Sequence, residues 1–165
     1  MKKNDPPQDI EYYGPVSFTH NLLRVMEAIR KAEGDDVIQR YYWHFASLIH
    51  HDGNRDFDLA DELEAAGFDR GYADAFGDEA LDAEIDTRMS AGLALTGDDV
   101  GTPIISMDND DGERVGIFGP VITRVPNPEQ SLRLWDSVVG ATTIPGFWEL
   151  KRTRTESPEF GERPS

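Results

Sequence analysis

His44, His50 and His51 form the one cluster of histidines in the chain, and histidine is both a metal ligand and a proton carrier near neutral pH. On a helix, His44 and His51 lie two turns apart on roughly the same side, whereas the adjacent His50 and His51 point about 100° apart. Asp52 follows, but a metal site needs a third well-placed ligand that this spacing does not supply. The pattern favours a helix end whose histidines interact with the helix dipole. A histidine-based metalloprotein is the weaker alternative.

The acidic run DNDDGE at residues 108–113 is a second candidate for ion binding. A calcium loop of the EF-hand type needs acidic or amide side chains at its first, third and fifth positions and glycine at its sixth. With Gly112 at the sixth position, Met107 falls at the first, so the pattern fails. The Asp111–Gly112 pair instead predicts the tight turn of a β-hairpin.

The chain contains no cysteine, which removes disulfides, thiolate metal sites and thiol redox chemistry within these 165 residues. It also has no Gly-x-Ser-x-Gly, no Gly-x-Gly-x-x-Gly after a strand and no Walker loop. Its many carboxylates show no spacing that marks two of them as a catalytic pair. The sequence therefore assigns no catalytic residue and no metal ligand.

The formal net charge is −16, from 32 acidic and 16 basic side chains. This charge repels phosphate backbones and anionic lipids, so we expect no nucleic-acid partner and no membrane partner. No apolar run is long enough to span a bilayer, and the first residues lack the apolar region of a secretory signal. These features predict a cytoplasmic protein. The basic group Lys151, Arg152 and Arg154 is interpreted as a solvated helix end that complements the helix dipole.

The elements that must position any site are mostly helices, with one clear β element. Residues 104–107 and 114–118 predict two antiparallel strands, and Thr102 before Pro103 is biased towards the extended backbone that suits strand entry. A lone hairpin needs a cover for its apolar face, which predicts helices packed in an α/β layer. Helical periodicity and caps predict helices at about residues 15–32, 37–50, 58–67, 79–95 and 128–139, a short turn at 70–76 and a last short helix from Pro145.

Apolar side chains recur at helical spacing and predict which faces are buried. We expect inward faces on the first, second and fourth of these helices, an apolar side on helix 128–139, and apolar residues in the last short helix. The residues concerned are Phe18, Leu22, Met26 and Ile29; Val37, Tyr41, Phe45, Leu48 and Ile49; Leu81, Ile85, Met89 and Leu93 or Leu95; Leu132, Trp135 and Val139; and Phe147, Trp148 and Leu150.

Four blocks of sequence resemble a known family when taken in order. They are GDDVGTPIIS, GIFGPVITRVP, LWDSVV and PGFWELKRTRTESPEF, and the upstream segments GPVSF and SLIHHDGN agree as well. Together, from about Gly14 to Phe160, they resemble the C-terminal portion of actinobacterial DsbA-like thioredoxin-fold oxidoreductases. The most similar group is the mycothiol-dependent nitroreductases of mycobacteria.

The resemblance implies a helix-dominated α/β protein with a partial thioredoxin-like fold. Residues 1–14 would be an arm, 15–96 an α-helical insertion, 97–152 the second half of the thioredoxin-like core, and 153–165 a polar, frayed tail. Thr102 and Pro103 would form the cis-proline loop that contacts substrate. The parent family implies a small-molecule or thiol substrate and a low-molecular-weight thiol such as mycothiol.

The resemblance also implies a part that this sequence lacks. The family begins with a strand, a Cys-x-x-Cys motif opening a helix, and a second strand, a βαβ unit of roughly 30 or more residues. We therefore expect a truncated product, a late-start gene model or half of a split protein, and we expect the chain to be inactive alone. Another possibility is that homodimerisation repairs the open strand edge. The alternative is a non-catalytic helical module that binds a peptide or subunit in its proline-loop groove.

Overall fold

The computed structural model describes residues 13–161 and residue 163. Five α-helices and two strands follow one another, with 3₁₀ helices at Asp35–Val37, Arg70–Gly77 and Glu79–Leu81. The elements are α1 (Tyr13–Glu33), α2 (Ile38–His50), α3 (Leu59–Ala65), α4 (Asp82–Thr96), β1 (Ile104–Asp108), β2 (Arg114–Phe118) and α5 (Pro128–Thr142). The predicted helix-dominated α/β class is confirmed, and the arrangement is consistent with a partial thioredoxin-like fold. None of the helices in the described part combines the length and apolar character needed to cross a membrane.

The chain divides into two compact units, one extending to Arg88 and the other starting at Met89, so the division falls inside α4. The domain boundaries drawn from the sequence remain predictions. The arm at residues 1–14 lies almost wholly outside the described residues.

The first unit has a closed apolar core. The phenol of Tyr41 is part of it and donates a 2.8 Å hydrogen bond to the carbonyl oxygen of Leu22, while burial raises the pKa of Tyr41. The predicted inward faces of the first two helices are confirmed, with Phe18, Met26 and Val37 packed at the edge of the core. Its buried members are Leu22, Val25, Ile29, Tyr41, Phe45, Leu48, Ile49, Leu63, Ala66 and Phe68.

Two predicted helix starts are confirmed by their hydrogen bonds. The side chain of Asp58 accepts from the backbone N–H of Asp61 at 2.9 Å, as an N-cap does. The side chain of Asn127 accepts from the N–H of Gln130, whose own side chain accepts from the N–H of Asn127, and Pro128 occupies the first helical position. Local sequence therefore sets where α3 and α5 begin.

The hairpin forms as predicted, with Ile105 opposite Ile117 and Ser106 opposite Gly116. Its loop covers residues 109–113, and the side chain of Asn109 organises it by accepting from the N–H groups of Asp111 and Glu113 at 3.0 and 2.8 Å. Within the described residues β1 pairs with β2 alone. The outer edge of β1 therefore has no strand beside it in this part of the chain.

The predicted short helix from Pro145 is wrong. The N–H of Phe147 donates to the carbonyl oxygen of Ile144 at 3.2 Å, and Gly146 has a φ of +84°. Proline followed by glycine with positive φ is the pattern of a type II turn, which cannot continue as a helix. Trp148, which follows the turn, is 89% exposed. The interpretation of residues 151–154 as a helix end fails with it, since these residues are exposed and not helical.

Helix α5 turns an apolar stripe to solvent. Leu132 and Trp135, two of the three residues predicted on its apolar side, are 67% and 51% exposed. The side chains of Leu134 and Val138 are half-buried instead, and Thr142 is buried. The helix carries two apolar stripes, and only packing decides which of them turns inward.

Candidate functional site

The predicted substrate-contacting residues lie in the short connection from α4 to β1. Thr102 and Pro103 are exposed, and the peptide bond between them is cis. The carbonyl oxygen of Pro103 accepts a 2.9 Å hydrogen bond from the N–H of Gly119, and the next bond, Gly119–Pro120, is also cis. The start of β1 and the end of β2 thus bring two proline steps side by side. We call residues 101–103 and 118–120 the proline site.

The surface of the proline site is neutral and largely apolar. Gly101 lies against the ring of Phe118, because a Cβ placed on Gly101 would be 3.9 Å from that ring. Phe118 is itself partly exposed, and Val121 and Ile122 expose about half of their surface beside it. The site contains no ionisable side chain and no thiol. It can therefore bind an apolar or extended ligand through contact and backbone hydrogen bonds, but it supplies no redox group of its own.

The segment after the proline site is held by the C-terminal tail. The hydroxyl of Thr123 donates to Glu156, and Arg124 donates to the other carboxylate oxygen of Glu156, both at 2.5 Å. The hydrogen bond from Thr123, followed by the charge of Arg124, keeps the pKa of Glu156 below its ordinary value. The backbone N–H of Glu159 also donates to the carbonyl oxygen of Thr123 at 2.7 Å. The sequence predicts a frayed tail here, whereas these contacts attach it.

The histidine cluster does not assemble into a shared site. The Nε2 atom of His44 lies 2.7 Å from a carboxylate oxygen of Glu62, and both side chains are partly buried. His51 directly follows α2 as its C-cap, with its backbone N–H donating to the carbonyl oxygen of Ser47. No three metal-ligating side chains come together in the part of the chain that the structure describes. The geometry gives His44 a carboxylate partner rather than a role beside His51.

The sequence did not predict a polar cluster in the first unit. The Nε and Nη2 atoms of Arg24 donate to the two carboxylate oxygens of Asp82 at 2.7 and 2.8 Å, and the ring of His20 lies 3.0 Å from the same carboxylate. The hydrogen bond from Arg24 is the main cause that lowers the pKa of Asp82 to about 2, and that from His20 assists. No local signal could have found the cluster, since Arg24 and Asp82 are 58 positions apart.

A second such cluster surrounds Glu27. Its carboxylate is 2% exposed and accepts from Arg30 and, at 3.0 Å, from Arg88. Arg30 also donates to Asp35 at 2.7 Å. Because every charge in this cluster has an opposite charge beside it, it secures α1 to the middle of α4 and offers no free group for chemistry.

One comparison with known proteins matches most of the chain. The family described as "Rv2466c-like: Mycothiol-dependent nitroreductase Rv2466c" matches residues 8–152. The matched region includes the helices of the first unit, the proline site and α5, and it ends just before the tail that holds Thr123.

Proposed function

Because the chain belongs to the Rv2466c-like family of mycothiol-dependent nitroreductases, we propose that it is the substrate-facing portion of such a redox enzyme and that it has no turnover alone. One observation carries the proposal: the family match spans residues 8–152, yet the 165 residues contain no cysteine. The fold in this proposal is that of the DsbA-like thioredoxin class, with residues 97–152 as the second half of its core. The sulfur chemistry then comes from residues outside this sequence.

The chemistry of thiol exchange explains why the chain alone should have no catalytic activity. A thiol cofactor such as mycothiol reacts when a thiolate attacks a disulfide through a mixed-disulfide intermediate. Serine, tyrosine and histidine cannot form that bond, so the residues present do not fit a covalent partner of the cofactor. The chain alone therefore supplies no covalent step of this exchange.

The role that we propose for the proline site is to contact the substrate. Thr102 and Pro103 are exposed next to the apolar ring of Phe118, and the site carries no charged side chain that would have to be desolvated when a neutral substrate binds. In the proposal these residues hold the substrate, a small molecule or thiol, against the missing sulfur group. The backbone N–H and C=O groups of Thr102 are the polar contacts that an extended ligand would use, since Pro103 has no N–H and its carbonyl oxygen already accepts from Gly119.

The test uses two readouts on the purified chain. Reduction of a nitro substrate with reduced mycothiol should not exceed the rate without protein. In titrations with mycothiol followed by NMR, the amide signals of residues 101, 102, 118 and 119 should shift, and those of the distant loop 109–113 should not. Turnover by the isolated chain, or shifts that avoid the proline site, would contradict the proposal.

A non-catalytic binding module is the second candidate, favoured by the exposed proline site in a cysteine-free chain. In this case the site binds a peptide or partner subunit and no sulfur chemistry is involved. A cooperative thermal transition of the chain alone favours the binding module. Binding of the dye ANS with a broad transition favours the first proposal, because a portion of a larger core exposes apolar surface.

A further inference from the structure

Hydrogen bonds from two residues of the C-terminal tail converge on two neighbouring residues after the proline site. The carboxylate of Glu156 accepts from the hydroxyl of Thr123 and from the guanidinium of Arg124, both at 2.5 Å. The backbone N–H of Glu159 donates to the carbonyl oxygen of Thr123 at 2.7 Å. The tail therefore contacts Thr123 through both its side chain and its backbone, as a bound peptide contacts its receptor.

The sequence of the tail suits an extended ligand. We call residues 156–161 the strap, and they contain neither helix nor strand. Pro158 has no backbone N–H, and it biases Ser157 towards the extended conformation. The next backbone donor is Glu159, which makes the bond to Thr123. A segment that a proline stiffens loses less conformational freedom when it binds, so this composition favours docking.

The residues that receive the strap combine polar and apolar contact groups. We call residues 121–125 the acceptor segment. Gly161 lies against Val125, because a Cβ placed on Gly161 would be 3.9 Å from a methyl carbon of that side chain. Val121 and Ile122 expose about half of their surface beside these contacts. A backbone acceptor, a cation and apolar side chains in one short segment can bind an extended acidic peptide.

We propose that the acceptor segment is a binding site for an extended acidic peptide and that the strap occupies this site within its own chain. The acceptor segment starts directly after Pro120, the last residue of the proline site. A peptide that continued from the proline site along the acceptor segment would need the carbonyl oxygen of Thr123, which already accepts from Glu159. The closed chain therefore favours a small molecule over a peptide as substrate, a consequence that rests on the proposed function.

The strap is held weakly enough to be displaced. The side chains of Arg124 and Glu156 are 66% and 42% exposed, so water screens their ion pair. Because both partners belong to one chain, the strap nevertheless stays at a high local concentration beside the acceptor segment. A free peptide must compete with that local concentration, so the site should open to it only when the strap is released.

Release of the strap is measured on the whole 165-residue chain by amide hydrogen exchange. In the Glu156→Lys variant, lysine repels Arg124, so exchange at the amide of Glu159 should become at least about tenfold faster than in wild type. Glu149→Lys makes the same change of charge at an exposed position outside the strap and is the matched control. Its exchange at Glu159 should equal that of wild type, and circular dichroism establishes that each variant is folded.

A synthetic peptide of residues 153–161 then tests the vacated site by NMR. At millimolar concentration it should shift the amide signals of residues 122–125 in the Glu156→Lys chain. The same signals should not move in the wild-type and Glu149→Lys chains, because their own straps compete. A peptide carrying Glu156→Gln should bind at least about tenfold more weakly, since it lacks the charge that strengthens the bonds to Thr123 and Arg124.

A charge reversal in the acceptor segment provides a second variant. The Arg124→Glu chain also repels its own strap, and it should bind a peptide carrying Glu156→Lys but not the wild-type peptide. Failure of both variant chains to bind their matching peptides would overturn the proposal. Equal binding of the wild-type peptide by the wild-type and Glu156→Lys chains, or equal binding of the Glu and Gln peptides, would overturn it as well.

Titration with mycothiol separates this proposal from the proposed function. Mycothiol should shift the amide signals of residues 101, 102, 118 and 119 equally in the wild-type and Glu156→Lys chains, because the strap bonds lie beyond the proline site. An absence of these shifts would contradict the proposed function, while the peptide titrations would still decide whether the strap occupies a peptide site. A peptide result against the strap would in turn leave the mycothiol result standing.

Discussion

Arg24 and Asp82 form a two-pronged ion pair, with hydrogen bonds of 2.7 and 2.8 Å, although 58 positions separate them in the chain. The pair joins the middle of α1 to the first residue of α4. The side chain of Arg24 is 11% exposed, whereas 37% of Asp82 reaches solvent, so water screens part of the interaction. These bonds stabilise the contact between α1 and the first residue of α4. No local sequence pattern predicts a pairing between residues so far apart.

Replacing Asp82 by Asn should destabilise the chain in a pH-dependent way. The pKa of Asp82 is lowered to about 2 by Arg24 first and His20 second, so its stabilising charge is fully present above the ordinary carboxyl pKa and is lost as the pH falls through about 2. With the solvent screening taken into account, we expect a loss on the order of 1 kcal/mol at pH 7. Urea denaturation at several pH values measures it.

The difference between wild type and Asp82→Asn should shrink towards zero near pH 2, because the wild-type carboxylate is then becoming protonated. Asp86→Asn, on the same helix, is the control and should cost little at any pH. A deficit of the Asp82 variant that is as large at pH 2 as at pH 7 would show that the charge is not the cause.

Replacing Glu27 by Gln should cost about 3 kcal/mol of the free energy of unfolding, because it leaves the guanidinium groups of Arg30 and Arg88 without their buried counter-charge. Chemical denaturation at neutral pH provides the measurement. Glu84→Gln breaks an exposed ion pair with Lys31 and should cost less than about 0.5 kcal/mol. Equal costs for the two variants would refute the importance of burial here.

Replacing Gly116 by Ala should destabilise the second unit by about 1–3 kcal/mol. A Cβ on Gly116 would lie 2.7 Å from the Cβ of Leu95, closer than two carbon atoms tolerate. Amide hydrogen exchange in β1 and β2 should report the change locally. Leu95→Ala leaves that Cβ in place but removes the bulk above it, so the double variant should lose less than the sum of the two single costs.

The control for this prediction is Gly140→Ala in α5, where an added Cβ meets no atom within 4 Å. Alanine is a better helix former than glycine, so this variant should be stabilised by up to about 1 kcal/mol. Identical effects of the two substitutions would rule out the contact with Leu95 as the cause.

Replacing Asn127 by Ala should cost about 1 kcal/mol, since it removes the oxygen that accepts from the N–H of Gln130 at the start of α5. Thermal unfolding measures the loss. Asn127→Asp retains an acceptor oxygen at the same position and should restore most of the stability. If the aspartate variant is as unstable as the alanine variant, the hydrogen bond is not what stabilises the helix start.

The sequence alone determined the features that depend on near neighbours. Caps such as Asp58 and Asn127 act within three residues, and helical periodicity identified the buried faces of α1 and α2, because side chains three and four positions apart share a face. The hairpin followed from two short runs on either side of a turn. The Pro145–Gly146 pair was also a local signal, for a turn, and the apolar residues after it outweighed that signal in the sequence prediction.

The tertiary structure alone decided the features that depend on distant partners. Helix α5 has two apolar stripes, and packing, not periodicity, turned Leu134 inward and Leu132 to solvent. His44 bonds to Glu62, Arg24 to Asp82, and Thr123 to Glu156, each across at least 18 positions. Such pairs form only when the core has brought their helices or segments together, because a side-chain hydrogen bond extends only about 3 Å. The residues that lie between two such partners in the sequence do not indicate that the partners will meet.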